Sequence, residues 1–232
     1  MSEETKPHPQ QVVKFAFYAL DRAWRALPAE DRAAARKEVS ELLLEAREQM
    51  PMVRTYSTVG TRGDCDFLVW SAAKTVEEIA ALETSLRQSA LGRWLETPYS
   101  YLAMTKRSQY EDRVGDARQK LQVKPGRAKY LFVYPFVKTR AWYQLPFDER
   151  QAMMDVHIQI GHKYPTVKLN TTYSFGLDDQ EFVVAFETDH AEHFLDLVME
   201  LRGARSSEYT LRDTPIFTCI SGEPLAVLEA CG

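Results

Sequence analysis

Apolar and polar positions alternate or run together along the chain in a pattern that predicts one set of elements twice. Residues 11–20, QVVKFAFYAL, read as a strand, and residues 29–49 carry a long helical periodicity that starts after Pro28 and is stopped by Pro51. Residues 52–60 and 66–73 flank the turn GTRGD as a hairpin, residues 75–90 form a second amphipathic helix capped by Thr75, and a strand near 99–105 follows. The order strand, helix, strand, strand, helix, strand then returns. It is read at 129–137, 147–163, 167–175, 181–187 around GLDD, 189–202 and 215–220.

The letters agree with the pattern. Arg22-Ala23-Trp24 matches Arg140-Ala141-Trp142, Leu27-Pro28 matches Leu145-Pro146, and Arg32 matches Arg150, all at an offset of 118 residues. A βαββαβ unit makes an antiparallel sheet with both helices on one face, so its other face needs cover. The expected fold is therefore α+β: two ferredoxin-like units, 10–106 and 129–222, joined by a connecting segment 107–128 and packed sheet to sheet as a dimeric α+β barrel within one chain. Space between barrel and helices is a natural place for a ligand.

Charge narrows the classes of function. With 29 basic and 33 acidic residues among 232, a net charge of -4 and a pI near 5.8, the chain is not built to bind nucleic acid by bulk electrostatics. The polar start MSEETKPHPQQ does not resemble a signal peptide, and no apolar run approaches the ~20 residues of a membrane helix, so a cytoplasmic protein without membrane attachment is expected. Cys65, Cys219 and Cys231 show no CxxC spacing and fit a reducing compartment as residues without chemistry.

The repeat directs attention to what its second copy adds. Met153, His157, Ile160 and Tyr164 recur at helical spacing, which sets His157 on the inward stripe, while His162 points elsewhere. The counterpart of His157 is Val39, so the fold accepts an aliphatic side chain there. An inward imidazole is either a core histidine or a metal ligand; no second ligand stands at zinc-like spacing, whereas haem iron needs only one from the protein. In YLFVYPFVK, Tyr134 and Lys138 share one side of a strand, where the first copy has Ala16 and Leu20. His190 and His193, beside Asp189 and Glu192, read as a solvated helix face.

YPFVK, WYQLPFDERQAMMDVH, YSFGLDDQEF and a C-terminal LR…P.F pattern together resemble the chlorite dismutase family, in particular its coproheme decarboxylase branch. The resemblance implies a homopentamer in which only the C-terminal unit holds haem. It implies His157 as the proximal iron ligand, Tyr134 as the residue oxidised to a radical, Lys138 on a propionate and Trp142 beside the porphyrin. Lys120, Arg118 and Ser207 fall in segments that correspond to further propionate contacts. The implied reaction is the hydrogen peroxide-dependent decarboxylation of iron coproporphyrin III, at once substrate and redox centre, to haem b, with a transient contact to the preceding ferrochelatase. Chlorite dismutases place a distal arginine where this chain has Asn170, which favours decarboxylation over chlorite chemistry and leaves the base that activates peroxide unassigned. Chlorite dismutase activity and non-catalytic haem or porphyrin binding are the alternatives.

Overall fold

The computed structural model describes residues 10–110, 123 and 125–232; the expected contacts of Arg118 and Lys120 lie outside the described residues. The first half runs β1 (Val12–Leu20), α1 (Ala29–Gln49), β2 (Met52–Ser57), β3 (Phe67–Ala73), α2 (Val76–Gln88) and β4 (Leu95–Met104). The second runs β5 (Tyr130–Lys138), α3 (Arg140–Gln144), α4 (Phe147–His162), β6 (Lys168–Tyr173), β7 (Phe182–Thr188), α5 (Ala191–Arg202), β8 (Thr210–Arg212) and β9 (Phe217–Ser221), and α6 (Pro224–Ala230) ends the chain. Among the described residues no helix is long and apolar enough to cross a membrane.

Local chemistry accounts for the helix starts. Pro28 and Pro146 stand immediately before α1 and α4 with extended backbones, a position where a missing N–H costs nothing. Thr75 Oγ1 accepts the Glu78 N–H at 3.3 Å and caps α2. The repeated Arg-Ala-Trp stretch folds as a 3-10 turn at Arg22–Ala26 and as α3 in the second half, and it buries Trp24 and Trp142 alike. Alternation does not mark α3, β8 or α6, because each is too short to show a period.

The sheet closes on itself. Each half has the strand order 4-1-3-2, as β4-β1-β3-β2 and as β9-β5-β7-β6. Two short antiparallel seams join the halves, β2 to β9 at Tyr56↔Ser221 and Ser57↔Ile220, and β4 to β6 at Met104↔Tyr173. The result is the duplicated ferredoxin-like barrel anticipated from the repeat.

Strand alternation then sorts side chains into two environments. Inward residues, including Phe15, Phe17, Trp70, Leu131, Val133, Val183, Ala185, Phe217 and Cys219, make one continuous core. Phe17 and Phe217 stack across it with centroids 3.9 Å apart, so the barrel interior is packed with side chains. The outward face of the first half is covered by α1, α2 and α6, with Val39, Leu43, Leu82 and Leu228 buried together. The outward face of the second half carries Phe132, Tyr134 and Phe186 against Ile160 of α4 and Phe194 and Leu197 of α5.

Leu43 is fully buried under the first half. Leu43→Ala should lower stability by about 2–5 kcal/mol in urea unfolding, since the methyl groups lost leave a cavity that the covering helices cannot close.

Candidate functional site

The two halves differ in how completely the outer sheet face is covered. Register places three residues in one cross-strand row: Thr171 opposite Val184, and Val184 opposite Tyr134. A neighbouring row is Leu169, Phe186 and Phe132. Burial falls along each row toward β6: Tyr134 is 9% exposed and Phe132 6%, whereas Leu169 is 46% exposed and Thr171 is open to solvent. The space beneath α4 and α5 therefore opens over β6. Val156 of α4 and Phe175 of the β6–β7 turn are likewise half-exposed apolar side chains of this half. Apolar side chains left this open around a cleft are what a large, flat, apolar ligand would cover.

His157 lies on α4, between the buried Met153 and Ile160. Burial, aided by the nearby Lys138 ammonium, pushes its imidazole down to about 4, so it is neutral at pH 7. It makes no hydrogen bond or ion pair with the described residues. A neutral imidazole with an uncommitted lone pair beside an apolar opening has the donor chemistry that iron in a porphyrin requires, one nitrogen from the protein.

Tyr134 stands on β5 with its ring against Phe186, centroids 6.0 Å apart at 17°. Burial raises its phenol well above the ordinary value, Asp213 raises it further and Arg202 opposes. The phenol is thus protonated at neutral pH, and the Arg202–Asp213 ion pair is close enough to bear on its proton.

Lys138 occupies the same side of β5, four residues on. Its ammonium is buried and donates to the Ser206 carbonyl at 2.6 Å, and it sits 4.5 Å from the Trp142 ring centroid. Burial pulls it down to about 8, with Glu181 acting in the opposite direction. The lysine is thus held inside the protein, near enough to His157 for its charge to act on that imidazole. Trp142 lies 5.5 Å from Tyr209 and 6.2 Å from Tyr110 between centroids. Ser207 Oγ donates to the Arg202 carbonyl at 2.8 Å, at the end of α5.

Asn170 is not in this group. It pairs with Ala185, an inward residue, and its Nδ2 donates to Glu187 Oε2 at 2.9 Å. Glu187 is itself buried and accepts the Gly126 N–H at 2.8 Å. The side chain that the strand turns toward the cleft is Thr171, one position along, which spacing from His157 could not single out. Pairing Thr171 with Tyr134 needs the register of three strands, although alternation alone separates Asn170 from Thr171.

His157, Lys138 and Trp142 are thus neighbours on the outer side of the second half, Tyr134 lies in the outer-face cluster with Ile160 of α4, and Asn170 faces the barrel. A coproheme decarboxylase of Mycolicibacterium smegmatis is 32% identical over 191 residues, which cover 82% of this chain and 81% of that protein. The chlorite dismutase of Candidatus Nitrospira defluvii in complex with imidazole superposes with a TM-score of 0.86 at 27% identity, over 95% of this chain and 94% of the other. A heme-binding protein from Thermus thermophilus superposes with a TM-score of 0.84 at 26% identity, over 96% and 95%. Residues 32–222 match the chlorite dismutase family model, and with the duplicated barrel described above this chain belongs to the chlorite dismutase family.

Proposed function

We propose that this protein decarboxylates iron coproporphyrin III to haem b, using hydrogen peroxide as oxidant. The observation that carries the reading is the pairing of a neutral, uncommitted His157 with a protonated, rigidly packed Tyr134 beside one apolar cleft. Its sequence support is the coproheme decarboxylase relative. Residues 129–222 hold the ligand in this reading and residues 10–106 act as scaffold.

Bound iron porphyrin supplies both the carboxylates to be lost and the centre that peroxide oxidises. Each propionate that becomes a vinyl group loses carbon dioxide, two electrons and one β-hydrogen as a proton. One peroxide takes the two electrons and, with that hydrogen and one further proton, leaves as two waters. His157 holds the ligand at the iron. Tyr134 gives up an electron and its Oη proton together, then regains both from the propionate β-carbon, which is why a phenol kept neutral by burial suits the task. Lys138, fixed by Ser206 and Trp142, keeps positive charge near His157 and favours its neutral form.

Chlorite dismutation gains no support from β6. Its cleft-facing residues Leu169, Thr171 and Tyr173 bring no guanidinium to the opening. We assign Thr171, not Asn170, as the polar group that meets peroxide from the sheet side. Thr171→Val should slow turnover about tenfold, the worth of one hydrogen bond near the reacting atoms. Asn170→Ala should act on stability, by about 1–3 kcal/mol, because it leaves the buried Glu187 carboxylate short of a donor. Steady-state rates and urea melts on both variants check this, and interchanged effects would return the role to Asn170.

Loading purified chain with iron coproporphyrin III, adding peroxide and identifying the product by mass tests the function directly. Loss of two carboxylates as carbon dioxide is the expected result. Tight binding without any mass loss would instead mark a porphyrin carrier, as the heme-binding Thermus relative invites.

A further inference from the structure

A second cluster of ligand-type side chains lies outside the cleft, where α5 begins. His190 precedes the helix, and Glu192 and His193 occupy its first turn. One donor atom from each lies within 4.8 Å of the other two. His190 Nδ1 is 3.4 Å from Glu192 Oε1, and the two imidazole rings lie with centroids 4.6 Å apart. Among the described residues this is the one place where three such groups converge.

A further contact fixes the geometry. His193 Nδ1 lies 2.8 Å from Thr166 Oγ1, on the loop between α4 and β6. When Nδ1–H donates to that hydroxyl, Nε2 carries the lone pair and points away from the loop. This is how a hydrogen bond behind a metal-bound histidine usually orients the ring. The His190 and Glu192 side chains are 50% and 68% exposed, so small rotamer changes can bring the three donors to bonding distance and leave room for water.

We propose that His190, Glu192 and His193 bind one divalent transition-metal ion of the zinc class, with water in the remaining position. Two imidazoles and one carboxylate form a borderline donor set that suits zinc, and the single carboxylate is too few oxygens for calcium or magnesium. Sequence spacing read these residues as a solvated face, since His190 and His193 at i and i+3 show neither the carboxylate's approach nor the threonine behind. The site is separate from the porphyrin cleft. His193 and Arg202, whose charge acts on Tyr134, are nine positions apart on α5, roughly 14 Å along its axis. Because Thr166 belongs to the loop after α4, an occupied site would pin that loop to the start of α5.

The test uses full-length, tag-free protein stripped with a chelator and titrated with zinc chloride by calorimetry. One zinc per chain with micromolar affinity is expected, weakened at least tenfold in His190→Ala and in His193→Ala, and weakened less in Thr166→Val. His157→Val should titrate like the parent protein. Copper(II) bound to the parent chain should show two nitrogen ligands by electron paramagnetic resonance, a readout that needs no variant. Absence of zinc binding at micromolar concentration, or unchanged stoichiometry and affinity in the double variant H190A/H193A, would overturn the proposal.

Discussion

Tyr134→Phe should leave iron coproporphyrin III bound and stop its conversion to haem b. The phenol hydroxyl makes no hydrogen bond with the described residues, and phenylalanine fills the same space against Phe186, so fold and affinity should change little. What is lost is the one group at that place able to release an electron and a proton together. A fall in turnover on the order of a thousandfold is expected, equivalent to about 4 kcal/mol of barrier. Mass analysis of the porphyrin after peroxide should find all four carboxylates retained. Vinyl groups forming at the parental rate would sink the assignment of Tyr134. A variant that also failed to bind would instead point to a packing role for the ring.

His157→Val should abolish iron coordination with little harm to the fold. The chain itself supplies the reason, because Val39, at the matching place on α1, is fully buried and well packed. Loss of the imidazole removes the bond from protein to iron, so the absorption spectrum of the loaded protein should lose its histidine-ligated form, and turnover should fall to background. The same variant carries a pH signature. The folded imidazole titrates near 4, below the value near 6.5 of an unfolded histidine. Between those values the unfolded chain binds the proton and the folded chain does not, so stability present above about pH 6.5 is lost as pH falls through about 4. Urea unfolding at a series of pH values should show that slope in the parent protein and a flatter one in His157→Val. Equal slopes would mean that His157 is not held neutral by the fold.

The duplicated architecture was legible because two independent signals coincided. Apolar periodicity repeated strand, helix, strand, strand, helix, strand, and the Arg-Ala-Trp and Leu-Pro matches tied the copies together at a constant offset. Comparing the copies also exposed His157, Tyr134 and Lys138, since each replaces an apolar counterpart. Lys138 shows the limit of that comparison. Composition and spacing mark it as polar, but the carbonyl that holds its ammonium comes from Ser206, 68 residues away, and the tryptophan beneath it belongs to another element.

Local order was written in the sequence by itself: which segments become strands and helices, which side of each is apolar, and that the second copy sets polar side chains where the first has apolar ones. Those features depend on neighbours a few positions apart, whose spacing can be measured along the chain. Tertiary structure alone decided that Thr171 rather than Asn170 looks into the cleft beside Tyr134, that the opening lies over β6, and that a threonine from one loop backs a histidine on α5. Each of these rests on strand register or on contact between distant segments, and a shift of one residue in register turns every side chain of a strand to the opposite face.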